Sequence, residues 1–433
     1  MIDWNKNLAT TVQHTKQSGI RRFFDIASTM EDVISLGIGE PDFVTPWTIR
    51  ESCIYGLERG YTAYTSNKGL YELRHAITHM YERDFQVKYN PNDEVLITVG
   101  VSEAVDLAMR AILNPNDEIL IPEPCYVSYA ACATLVGAKA IAVPTKSENE
   151  FKVTPEDLEK HITPKTKALL IGYPNNPTGT ILEYDELLAI ANFAQKHNLI
   201  VISDEIYGDL TYGERKHICF SALPDMKERS IILNGFSKAY AMTGWRLGYA
   251  LAPKPVIDAM NKIHQYTMIC APITAQIAGL EAIRNGQKHM KKMVAEYDRR
   301  RRLIYEGFTS MGLKCFEPKG AFYIFPDISS TGLSSEEFAE QLLLRQHVAV
   351  VPGTAFGECG KGFIRASYAT SVDNISGALA RIKNFLDKFN KEKADDKLNY
   401  ISFFYYSTAL PIASLNVGCG NIIFCRSTSV NSC

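Results

Sequence analysis

An excess of either charge is the first thing this chain lacks. Its 433 residues carry 46 Lys and Arg against 48 Asp and Glu, a net charge of −2. That balance supplies no electrostatic footprint for nucleic acid and none for an anionic membrane surface. The ten cysteines are scattered, with no CxxC pair and no Cys/His cluster at zinc spacing. Neither a disulfide framework nor a metal site is expected, and free thiols in a reducing cytoplasm are the simplest account. The opening residues, Met1-Ile2-Asp3-Trp4-Asn5-Lys6, hold no apolar core of a secretory leader, so the expected location is cytoplasmic. Internal repeats are lacking too.

What is present suits a soluble globular protein: 46% hydrophobic and 22% charged residues over a length that accommodates two domains. Residues 1–15 are polar and read as an arm. The short run Val33-Ile34-Ser35-Leu36 leads into Gly39-Glu40-Pro41-Asp42-Phe43, a turn by its Gly and Pro. From about 45 to 285, apolar runs alternate with helix-period segments. The runs are Val95–Thr98, Ile119–Ile121, Ala140–Val143, Ala168–Ile171, Ile200–Ser203, Ile231–Leu233 and Leu247–Leu251. Helices are expected at Ser102–Leu113, Tyr126–Val136 and Tyr184–His197. Continuous apolar runs between helices signal parallel strands buried on both faces, in an α/β sheet whose ligand crevice lies at the strand ends.

A long basic helix over 287–311 connects to a second unit, with strands at Ala321–Pro326, Val348–Val351 and Phe363–Tyr368 and helices at Ser335–Gln346 and Val372–Lys388. The expected division is an arm and part of a small domain (1–44), a large domain (45–286), a C-terminal small domain (287–393) and an atypical tail (394–433). Within that tail, Leu398–Cys425 has no charged residue but is broken by Pro411, Gly418 and Gly420. Its length suits a membrane anchor; its breakers and Asn, Ser and Thr residues argue against one, and a poorly ordered tail is expected.

Chemistry-bearing residues collect at strand ends. Ser237-Lys238 follows one apolar run and Arg246 precedes the next. A lysine amine attacks a carbonyl when its surroundings hold it neutral, and serine with arginine suits a phosphate. Pyridoxal phosphate (PLP) carries both an aldehyde and a phosphate. A lone Ser-Lys pair, however, is more often an ordinary solvated loop. Gly100-Val101-Ser102 closes a strand and opens a helix, which makes an anion site, although glycine before a helix is commonplace. Tyr173-Pro174-Asn175-Asn176-Pro177-Thr178-Gly179 is a turn that aims the Asn176 amide, or a plain Asx turn. Asp204 ends an apolar strand, where a carboxylate needs a cationic partner, such as a pyridinium nitrogen, unless it only caps the next turn.

Together these stretches are similar to the fold-type I PLP enzymes, and specifically resemble the class I/II aminotransferases of the aspartate, aromatic and alanine aminotransferase group. The resemblance spans about residues 15–390 and rests on NNPTG (175–179), DEIY (204–207) and SKAYAMTGWRLGY (237–249). It implies a mainly parallel seven-stranded large-domain sheet with helices on both faces, plus a smaller α+β domain. It implies that Lys238 holds PLP as a Schiff base, that Asp204 pairs with the pyridine nitrogen, and that Asn176 and Tyr207 hydrogen-bond the ring's phenolic oxygen. Ser237, Arg246 and the Val101 and Ser102 amides would hold the phosphate, and Tyr126 would stack on the ring. Tyr64 matches a phosphate-binding tyrosine supplied by the neighbouring subunit of a homodimer with shared sites. Arg365 matches the arginine that grips the substrate α-carboxylate, and Gly39 would touch that carboxylate through its backbone. Taken singly, Tyr64 and Tyr126 are more often packing residues, while Glu103 and Glu205 read as structural.

The activity so implied is transfer of an amino group from an L-amino acid to a 2-oxo acid such as 2-oxoglutarate by a ping-pong cycle. A PLP-dependent C–S β-lyase is the rival within the same chemistry, but such enzymes usually lack the TGWRxG form found here. A PLP-sensing regulator would need a DNA-binding domain in the roughly forty residues before Gly39, and a non-catalytic homologue is expected to lose Lys238. Ser18-Gly19-Ile20-Arg21 and His264-Gln265-Tyr266-Thr267 are close to a bacterial subgroup that includes aminotransferase A and N-acetyl-diaminopimelate aminotransferases. No second arginine for a distal carboxylate stands out, so alanine, aspartate, aromatic and acyl-diaminopimelate donors all stay open.

Overall fold

The computed structural model describes residues 2–15 and 29–408, the last sixteen by backbone alone. The Ser18–Arg21 stretch and the part of the tail beyond Thr408 lie outside the described residues. In chain order the strands are β1 (Ile34–Ser35), β2 (Val95–Thr98), β3 (Glu118–Glu123), β4 (Lys139–Pro144), β5 (Thr166–Gly172), β6 (Ile200–Asp204), β7 (Ser230–Gly235), β8 (Gly248–Leu251), β9 (Tyr323–Ile324), β10 (Val348–Ala349), β11 (Val351–Pro352) and β12 (Ile364–Ser367).

Seven of these form one sheet in the order β2-β8-β7-β6-β5-β3-β4, parallel except for β8, which runs antiparallel to both neighbours. Every apolar run between 95 and 251 became a strand of it. Burial on both faces is found for the interior strand β8 and for β2 at one edge, but not for β4. That strand is one of the two sheet edges, with Lys139 exposed, and an edge bearing a lysine discourages pairing with another chain.

The helix Gly100–Ile112 begins two residues before the expected Ser102 and turns Ala104, Leu107, Ala108 and Met109 inward at helical spacing. These pack with Leu96, Ile119, Leu170, Ile202 and Leu233 of the sheet and with Ile257 and Met260 of the Lys254–Thr267 helix. Each Leu, Ile or Met side chain among them contributes roughly 1.5–3 kcal/mol when fully buried. The result is a rigid floor for the strand ends of β2, β5, β6 and β7.

The long connector helix spans Gln287–Ser310. Beyond it, β11, β12 and β9 make a three-stranded antiparallel sheet, while β1 pairs in parallel with β10. The expected single strand Val348–Val351 is therefore two strands serving different sheets, and Ala321–Pro326 shortens to Tyr323–Ile324. A small aromatic core of Phe151, Phe325, Val351 and Phe356 backs β11 and β12. The chain divides into one compact unit that ends at Phe385 and a second that begins at Leu386. The last helix starts at Val372 as expected but continues to Thr408 instead of ending at Lys388. The polar run there contains good helix formers and no proline, and polarity alone does not stop a helix. Among the described residues, no helix is long and apolar enough to cross a membrane.

Candidate active site

A cavity of about 600 Å³ opens at the strand ends. It gathers Gly39, Val101, Ser102, Tyr126, Asn176, Asp204, Tyr207, Ser237, Lys238, Arg246 and Arg365, all of the sequence-predicted site residues except Tyr64. Tyr64 is 80% exposed on the surface of the chain.

One end of the cavity is an anion cup. β2 passes into the Gly100 turn, whose φ of +75° favours glycine. A Cβ at Gly100 would lie 2.6 Å from a terminal guanidinium nitrogen of Arg246, so the missing side chain is the space the arginine occupies. The first turn of the Gly100–Ile112 helix leaves backbone N–H groups facing outward, and Ser237 and Arg246 close the cup. Arg246 is fixed by its own bond to the Thr243 carbonyl at 3.0 Å. Behind the cup, the Glu103 carboxylate accepts the Val99 N–H and meets the buried His264 ring at 2.7 Å.

At the end of β6, Asp204 is only 6% exposed, and burial pushes its carboxyl up to about 6. Two donors oppose that rise: the Tyr129 hydroxyl at 2.7 Å and the Ile206 N–H at 3.1 Å. Tyr129 was missed from sequence. Its only signal is a position three residues beyond Tyr126, against whose ring it sits edge-on at 5.6 Å. In the turn after β5, Asn175 does the structural work, accepting the Thr178 N–H and hydroxyl, which leaves the neighbouring Asn176 amide for the cavity.

Lys238 donates to the Gly39 carbonyl at 2.7 Å. Burial lowers its amine to about 8; Glu40 opposes the shift, while Arg365 and Arg246 add to it. A useful neutral fraction therefore exists near pH 7–8, as nucleophilic use requires. Tyr207 shares a 2.9 Å hydrogen bond with Tyr323, a second residue missed from sequence, and burial raises both phenols.

Arg365, on β12, is 3% exposed and lies over the rings of Tyr323 and Phe356. It donates to the Asn176 side-chain oxygen at 3.0 Å and to the Gly37 carbonyl at 2.5 Å. Its Nε has no partner, and among the described residues no carboxylate pairs with it. A buried cation held only by neutral acceptors is arranged for an incoming anion.

A phosphate cup, a buried carboxylate with room beside it and a lysine of lowered basicity fit PLP as a group. Comparison with known proteins agrees. The sequence model described as "Aminotransferase class I and II" matches residues 31–382. The chain is 54% identical to the YugH protein of Bacillus subtilis (strain 168) over 381 residues, which is 88% of this chain and 98% of that one. It is 47% identical to an aspartate aminotransferase of Pyrococcus abyssi, over 85% of this chain and 95% of the relative. The solved aromatic aminotransferase of Pyrococcus horikoshii OT3 superposes with a TM-score of 0.81 at 43% identity, covering 84% of this chain and 99% of that one. The chain belongs to the class I and II aminotransferases, a PLP-dependent family of fold type I, and it is an aminotransferase.

Proposed function

We propose that this enzyme moves the amino group of an L-amino acid to a 2-oxo acid, with 2-oxoglutarate as acceptor, in a ping-pong cycle at one site. The observation that carries the reading is Arg365, a buried cation with an unpartnered Nε in the same cavity as Lys238. Both an amino acid and a 2-oxo acid present it with the same carboxylate, so one site serves both half-reactions in turn.

PLP, when bound, supplies the electron sink for cleavage at the substrate Cα. Ser237, Arg246 and the Val101 and Ser102 amides would hold its phosphate, Tyr126 its face, and Asn176 and Tyr207 its phenolic oxygen. Asp204 supplies a fixed negative charge for the ring nitrogen, and Lys238 anchors the group and then carries a proton to or from the substrate carbon. Arg365 orients the carboxylate, with Gly39 beside it.

A homodimer is supported by large apolar side chains left exposed on the protomer, among them Trp47, Tyr55, Tyr61, Tyr64, Tyr266 and Ile269. The Tyr61–Asn67 loop is tied to the segment of Tyr266 and Ile269 by the Asn67 amide on the Ile269 carbonyl. A partner covering these side chains would bury that surface and receive Tyr64 at its own cup. Within each protomer, the Gln287–Ser310 helix would link a large part, 45–286, to a small one, 287–393.

The test is a panel of alanine, aspartate, phenylalanine and N-acetyl-diaminopimelate with 2-oxoglutarate, followed by glutamate formation. Expected are glutamate release with at least one donor, parallel initial-rate lines, and covalent trapping of the cofactor on Lys238 by borohydride. Absence of glutamate with every donor would overturn the reading.

A further inference from the structure

The loop from Gly37 to Thr45 walls the substrate side of the cavity, and two of its holds are the reacting groups themselves. Lys238 grips the Gly39 carbonyl and Arg365 grips the Gly37 carbonyl. Both side chains are needed elsewhere once substrate arrives, so the loop then rests on its other holds: Glu40 accepts from the Thr243 hydroxyl, and the Thr45 hydroxyl donates to the Ala241 carbonyl and accepts from Trp245. Its fit is close: a Cβ on Gly39 would lie 2.2 Å from the Tyr323 hydroxyl. A small drift of the loop would therefore close or open the place where the carboxylate sits.

Between Glu40 and Thr45 the connector helix holds the loop at Asp42. Arg300 is nearly buried and donates from Nη1 to Asp42 at 2.8 Å and from Nε to Glu296 at 2.9 Å. Its guanidinium also lies over the rings of Phe43 and Tyr297, at 5.0 and 5.7 Å, and those two rings meet edge-on. Tyr297 in turn packs on Phe322, next to Tyr323. One planar cation thus joins the loop, through both Asp42 and Phe43, to a rigid helix.

We propose that Arg300, acting through Asp42, is a positioning residue that sets the substrate-side loop and so tunes binding of the substrate carboxylate. This rests on the reading of the cavity as an amino-acid and 2-oxo-acid site. Asp42→Asn keeps the side-chain shape and removes the charge; Arg300→Lys keeps the charge and removes the fork. Each should raise the donor KM roughly ten-fold, with kcat within about three-fold. The double variant should cost no more than the worse single one, because both break one contact. PLP affinity, read by fluorescence titration of the apoenzyme, should stay unchanged, because the phosphate cup is untouched.

The measurement uses full-length holoenzyme with alanine, aspartate and phenylalanine as donors and 2-oxoglutarate as acceptor. Arg300→Lys leaves a buried site altered and can fail to fold, whereas Asp42 is near the surface, so Asp42→Asn alone decides the matter. An unchanged KM in Asp42→Asn, or a KM that rises only together with weakened PLP binding, overturns the inference. Wild-type enzyme inactive with all three donors, and with N-acetyl-diaminopimelate, would instead overturn the functional reading beneath it.

Discussion

Asp204 and Arg365 are two buried charges in the wall of one cavity, and they are treated in the same way with the signs exchanged. Asp204 receives two donors, one of them a neutral phenol; Arg365 receives two neutral acceptors and keeps one N–H free. Neither contacts a full countercharge. A buried ion pair would satisfy both, but it would also fill the site and hold it shut. Neutral partners lower the cost of burial without cancelling the charge, so each stays ready for a charged ligand of opposite sign.

That comparison can be broken from either side, and the largest effect is expected at Asp204. Asp204→Asn should lower kcat by about 10²–10⁴-fold, because the ring nitrogen loses its fixed anion. The same change should stabilise the apoprotein near pH 8. A carboxyl raised to about 6 from 3.8 binds more protons folded than unfolded. Its stability contribution is therefore full below pH 3.8 and is lost as pH rises through 6. The expected gain for Asn at pH 8 is on the order of 1–3 kcal/mol, vanishing near pH 3.5. Denaturant melts of apoenzyme at the two pH values check it; equal stability at both would mean the carboxylate is not strained.

On the cationic side, Arg365→Lys should lower kcat/KM about 100-fold, chiefly through KM, since an ammonium lacks the planar fork that grips a carboxylate with two N–H groups while others hold Asn176 and Gly37. Steady-state kinetics on the best donor separates this from a loss in kcat. The smallest effect is expected from Tyr129→Phe, which removes one of the two donors to Asp204. A loss of roughly 5–10-fold in kcat is expected, with Arg365-dependent KM unchanged. A KM change there would show that the two charges are coupled.

Much of this was legible in the sequence because it is local. Apolar runs between helix-period segments gave every strand of the large sheet, and Asn176, Asp204, Lys238 and Arg246 stand in motifs beside those strands. What was illegible is mostly pairing at a distance. Tyr129 meets Asp204 across 75 residues and Tyr207 meets Tyr323 across 116, and among 22 tyrosines nothing local points either Tyr129 or Tyr323 to its partner. The split of 348–352 between two sheets also escaped notice, since a continuous apolar run says nothing of which neighbours its two ends choose. The last helix was cut short for a different reason: a change from apolar to polar beyond Lys388 was read as an end, although that stretch holds neither proline nor glycine to break the backbone pattern.

The interlock of Gly100 with Arg246 has a consequence for how such a chain can vary. A side chain at 100 meets both a positive φ and the guanidinium, so it evicts the arginine. Replacing Arg246 alone, itself at φ +54°, takes the guanidinium from the cup and frees the space beside Gly100, although the φ of +75° there still favours glycine. The two positions are therefore epistatic: a lineage can alter the pair only by crossing a form that has let go of its anion, and neutral drift is barred at both at once.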